Sequence, residues 1–64
     1  MQLFISYVFN NEETNKVIFK NKIMLVDINT LSEITSPIIK KLEEELEVYE
    51  EDLGTVTILN YKCI

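Results

Sequence analysis

Only one stretch of this sequence keeps a helical period, and the remaining apolar residues fall in strand-like runs. Wound at 100° per residue, Ile38, Ile39, Leu42, Leu46, Tyr49 and Leu53 share one arc of about 100°. The pattern predicts a helix from Pro37 to about Leu53. Ser36 is its expected N-cap, Pro37 fills the first helical position, and Gly54 ends it in a left-handed conformation. A lone helix covers one face of a sheet and no more. Apolar surface on the other face is left for another partner.

The strands carry such surface. From Leu3 to Phe9 the residues are β-branched or aromatic, with Leu3, Ile5, Tyr7 and Phe9 on one side. Phe4, Ser6 and Val8 fall on the other side, so this strand is apolar on both faces, as a central strand would be. Asn10 to Lys16 is a polar connection. A second extended run spans Val17 to Ile28, interrupted by Lys20, Asn21 and Lys22. Those three are either a tight turn or the solvent-facing part of a long edge strand; with no Gly or Asn-Gly to make a primed turn, the long strand, bulged at Asn21, is the preferred reading. Thr30 and Glu33 have capping-box spacing for a short turn from Leu31 to Ile34. In the last strand, Thr55 to Cys63, Val56 and Ile58 alternate against Thr55, Thr57, Leu59 and Tyr61.

Connection rules assemble these elements. The first two strands make a hairpin, and strand, helix and strand make a right-handed crossover with the second and third strands parallel. The fold class expected is α+β: a three-stranded sheet with one helix packed on one face, ββαβ, strand order 2-1-3. Residues 1–64 form one small domain. With 47% apolar residues and a mean hydropathy of +0.07, the chain is not disordered by composition. A core this small invites sharing with a second copy. A homodimer is therefore expected, with Phe4, Val8 and Tyr61 at its interface. Tyr49 is read as core, and Tyr7 and Tyr61 as core or interface.

Composition removes most chemistry. The chain has no histidine, one cysteine and one glycine. No Ser-His-Asp or Cys-His arrangement, ordinary zinc site or phosphate-binding glycine loop can be built. The reading is of a non-enzyme with no cofactor and no metal. Carboxylate pairs such as Glu43 and Glu47 would hold a divalent cation only weakly, lacking carbonyls and enclosure. Cys63 reads as a small strand hydrophobe, with an intermolecular disulfide as the alternative. No leader-like segment or apolar run of about 20 residues is visible, which predicts a cytoplasmic protein without a membrane partner. Net charge is −5, with six lysines and no arginine, so direct nucleic-acid binding is not expected. Lys16, Lys20 and Lys22 read as a solvated or edge-protecting cluster.

One feature resists a purely structural reading. Seven of the ten residues from Glu43 to Asp52 are acidic. Carboxylates in a last helical turn oppose the macrodipole. Glu43, Glu44, Glu47, Glu50 and Glu51 lie opposite the apolar stripe, and Val48 points out among them. They either keep a small apolar protein soluble or dock on a basic groove, imitating a nucleic-acid backbone.

Both chain ends resemble small phage- and prophage-encoded proteins of Gram-positive bacteria. The resembling pieces are Phe4-Ile5-Ser6-Tyr7-Val8-Phe9 and Ile58-Leu59-Asn60-Tyr61-Lys62, with an Ile/Glu/Lys-rich helix between them. Pro37 and the dense acid run depart from that pattern. The resemblance implies an anti-defence role, including anti-CRISPR inhibition. The expected partner is then a basic, nucleic-acid-binding host protein, in the host cytoplasm, held by Glu43, Glu44, Glu47, Val48, Glu50 and Glu51. The alternative is a homo-oligomeric structural or assembly module acting through its apolar sheet face.

Overall fold

The computed structural model describes residues 1–64. The chain runs β1 (Gln2–Asn11), β2 (Val17–Leu25), a 3₁₀ turn (Leu31–Glu33), α1 (Ser36–Tyr49) and β3 (Gly54–Cys63). The strands form one antiparallel sheet ordered β2-β1-β3, so the α+β topology is the one the connections required. β1 is central because it is apolar on both sides. Leu3, Ile5, Tyr7, Phe9 and Asn11 are buried under the helix, while Phe4, Ser6 and Val8 are half-buried on the opposite face.

α1 packs along β3 and sends Leu42 and Leu46 into a cluster with Leu3, Ile5, Tyr7, Phe9, Met24, Val26 and Val56. Full burial of a side chain such as Leu46 contributes about 1.5–3 kcal/mol. Only ten of the 64 residues are buried. The radius of gyration is 11.9 Å, against about 10.7 Å for a compact chain of this length. The sheet carries the helix on one face and no element of this chain on the other. No helix is long and apolar enough to cross a membrane.

β1 and β2 join through a tight polar turn. Asn15 takes a left-handed φ of 57°, tolerable for asparagine. The buried Asn11 organises the turn. Its side-chain oxygen accepts the N–H groups of Glu13 and Thr14, and its amide donates to Asp52 at 3.2 Å. At the helix approach, Glu33 accepts the N–H groups of Thr30 (3.0 Å) and Asn29. Those bonds, that of Thr30 first, hold its carboxyl below the usual glutamate value. Thr35, not Ser36, is the N-cap, with Pro37 in the first turn.

Five further expectations fail for identifiable reasons. β2 ends at Leu25 rather than Ile28, just before the Met1–Val26 pair that closes its ladder with β1 at 2.8 and 2.9 Å. β2 also runs without a bulge. The irregularity lies in β3, where Ser6 pairs with Asn60 but Tyr7 with Ile58, leaving Leu59 as the extra residue. The helix stops at Tyr49 rather than near Leu53. Its last turn is acidic without a basic residue, and Glu50 adopts an extended conformation, its N–H closing on the Glu47 carbonyl at 3.1 Å. Gly54 consequently opens β3 and has no positive φ. Leu53 leaves the core with the shortened helix, and Tyr49, the last helical residue, is 64% exposed beneath the Lys22 ammonium, 4.3 Å from its ring centroid.

Candidate interaction surface

Two surfaces compete for a functional role: the acid-rich helix and the sheet face that it leaves bare. The helix side is partly consumed by the fold. The Glu50 carboxylate turns onto the sheet, pairing with Lys20 Nζ at 2.7 Å and accepting a 3.4 Å hydrogen bond from the Tyr7 hydroxyl. Glu43 is half-buried and accepts the Ile58 N–H at 2.7 Å. These two of the expected partner-binding acids have structural partners already. Glu44, Glu51 and Val48 remain exposed, Val48 at 83%, and Glu47 is half-buried. The sequence concealed this division because Lys20 and Ile58 are distant in the chain.

The Lys20–Glu50–Tyr7 cluster has a pH signature. The Glu50 hydrogen bond foremost raises Lys20 above its ordinary value, and burial followed by Glu50's charge raises Tyr7 above 10.0. The Lys20 contribution is complete below the unfolded-state lysine value and disappears as pH rises through the folded one. Tyr7 acts in the same direction, since the unfolded chain ionises it first. Stability should therefore fall above about pH 10, with cooperative loss of circular dichroism accompanying tyrosinate absorbance. Tyr7→Phe should move that alkaline midpoint upward. An unmoved midpoint would place the titration elsewhere.

The opposite sheet face has a different chemistry. Register fixes its members, since paired residues share a side. β1 presents Phe4, Ser6 and Val8, β2 presents Val17, Phe19, Asn21, Ile23 and Leu25, and β3 adds Thr55, Thr57, Asn60 and Lys62. Phe19 is 76% exposed, Ile23 56% and Leu25 81%. Cross-strand pairs align Phe4 with Ile23 and Val8 with Phe19, making one apolar stripe across β1 and β2. Lys62 is the only charged residue on it, with its ammonium 5.4 Å from the Phe4 ring centroid. No acidic residue lies there.

No family model, curated protein or solved structure matches this chain.

Phe4 and Val8 lie on this open face. Tyr61 does not. It pairs with the fully buried Ile5 and packs against the core beneath the helix. The extra residue at Leu59 shifts the inside-outside alternation by one, turning Tyr61 inward. The β2 contribution was the larger omission from the interface set, although alternation from Val17 to Leu25 carried the signal. Chemistry elsewhere is sparse. A groove of about 420 Å³ lies between α1 and the segment after β2, lined by Val26, Ile28, Ile38, Lys41 and Glu45 among others. The Lys20–Glu50–Tyr7 cluster does not line it, so the perturbed groups do not face a substrate-sized space.

Proposed function

We propose that this protein is a non-enzymatic, self-assembling interaction module whose copies associate through the open sheet face. The carrying observation is charge segregation. The chain has eleven acidic residues, and none lies on the face that exposes Phe19, Ile23 and Leu25. A net charge of −5 opposes self-association through most of the surface. Across this face the opposition is weakest. Packed sheets lie about 10 Å apart, and the acid helices would then point away on the outer sides, beyond a Debye length of about 10 Å. An apolar face whose single charge is Lys62 favours another copy of itself over a strongly basic or acidic partner.

The test is the double substitution Phe4→Asp with Val8→Asp, followed by sedimentation equilibrium. The expected result is loss of face-mediated association with the fold retained. An unchanged mass distribution would remove the proposal.

A second reading keeps the remaining acids as a docking ridge for a basic nucleic-acid-binding protein, as a phage-type inhibitor would use. Val48, exposed among Glu44, Glu47 and Glu51, is the observation that favours it. Glu44→Lys with Glu51→Lys separates the two, because it would leave self-association intact and abolish binding to a basic partner.

A further inference from the structure

We infer that β2 pairs edge to edge with β2 of a second copy, antiparallel about a two-fold axis at Asn21, to make a continuous six-stranded sheet. The two sheet edges are not equivalent. At one end of the β1–β2 ladder, Met1 exchanges bonds with Val26 in both directions, at 2.8 and 2.9 Å. At the other end, the Asn11 N–H meets the Lys16 carbonyl at 2.9 Å. Antiparallel pairs alternate between bonded and non-bonded, so Ile18, Lys20, Lys22 and Met24 also turn their backbone groups toward β1. Val17, Phe19, Asn21, Ile23 and Leu25 turn theirs outward. None of those five N–H groups has a partner in the chain.

The β3 edge is obstructed at its middle. Glu43 accepts its outward Ile58 N–H at 2.7 Å, and the Asn60 side chain accepts that of Tyr61 at 2.8 Å. Leu59, between them, breaks the ladder register. A new strand can therefore add along the whole of β2, whereas on β3 it would meet the Glu43 carboxylate and the register break at Leu59. β2-to-β3 addition would propagate without end, whereas one open edge permits only a closed pair.

The sequence of β2 fits its own copy. Read outward from Asn21, Lys20 is balanced by Lys22, Phe19 by Ile23, Ile18 by Met24 and Val17 by Leu25. A two-fold pairing centred on Asn21 sets each residue opposite its counterpart, apolar against apolar. It also makes the outward-facing pairs bonded ones, so every outward N–H meets a carbonyl. The opposed Lys20 and Lys22 are the unfavourable part. Each is already engaged in its own chain, by Glu50 or over the Tyr49 ring, and salt screens the remainder.

The pairing stands on the backbone and sequence of β2; its consequence for the open face rests on the self-assembly proposed above. Strands of about 33 Å, spaced about 4.8 Å apart, give one chain a flat footprint of about 450 Å². Two such faces bury about 900 Å² together, short of the roughly 1,600 Å² of a standard interface. Joining chains at β2 doubles the face, and two joined pairs then bury about 1,800 Å².

Hydrogen exchange tests the edge directly. The amides of Val17, Phe19, Asn21, Ile23 and Leu25 should be protected at high protein concentration and exchange freely on dilution. Those of Ile18, Lys20, Lys22 and Met24 should stay protected in both. Free exchange of the first set at every concentration overturns the pairing. Asn21→Pro removes only an outward donor, so the β1 ladder survives while the edge is blocked. It should halve the mass of the assembly, and an unchanged mass overturns the inference. Should Asn21→Pro not fold, Asn21→Cys in a Cys63→Ser background replaces it. Bonded pairs place Cα atoms about 5.5 Å apart, within disulfide range. Mild oxidation should link the copies much faster than in a Lys16→Cys control, and equal rates count against the pairing. The two proposals fail separately. Edge protection that survives Phe4→Asp with Val8→Asp supports the pairing whatever happens at the face, and mass lost in that variant without edge protection supports only the face.

Discussion

Replacing Gly54 with alanine should destabilise the protein by about 3 kcal/mol or more, visible as a large drop in the urea midpoint. A Cβ at this position would lie 2.5 and 2.6 Å from two carbons of the Phe9 ring and closer still to the Asn10 carbonyl oxygen. Neither neighbour can yield. Phe9 is 2% exposed at the centre of the core, and Asn10 is held in register opposite Thr55. Domains of this size have roughly 3–10 kcal/mol in total, so the variant should sit near its unfolding transition at ordinary temperature. A midpoint within error of wild type would mean that β3 starts elsewhere. The glycine serves close approach of backbone and ring, not helix termination.

Phe4→Asp with Val8→Asp should have its effect on assembly. Both residues lie on β1 in the middle of the open face, half-buried by neighbours on β2 and β3. In the single chain an aspartate there stays hydrated, with a stability loss of about 1–2 kcal/mol from poorer strand packing. Between two packed faces each carboxylate would lose its water without gaining a partner, at several kcal/mol. Since 1.4 kcal/mol is tenfold in affinity, face-mediated association should weaken about 100-fold or more. Circular dichroism and a cooperative melt would establish that the fold persists. Equal association of the variant and the wild type would mean that the face is idle surface.

The fold was largely legible because its main constraints are local. β1 reads as central from Phe4 and Val8 opposing Leu3, Ile5 and Phe9. The chain order then leaves few ways to place a hairpin and a helical crossover. Thr30 with Glu33, and Pro37 in the first turn, located the helix approach to within a residue or two. The failures are non-local. Lys20 holds Glu50 from across the sheet just past the helix end, and Leu53, beyond it, lost the core position that helical winding had assigned. Leu59 is an ordinary strand residue with no glycine beside it to betray a bulge, yet its insertion reversed the side on which Tyr61 lies. The acid run looked like one surface, although Glu43 and Glu50 are structural: one obstructs the β3 edge and the other anchors Lys20. Phe19, Ile23 and Leu25 were readable in principle, because hairpin pairing carries the alternation of β1 onto β2.

Sedimentation equilibrium of the wild-type chain near 0.15 M salt, where the Debye length is about 8 Å, addresses self-association directly. The average mass should climb with concentration well above the 7.5 kDa of one chain, toward that of a closed assembly. A mass fixed at 7.5 kDa from low to high concentration would show that the apolar face and the open β2 edge do not bring copies together.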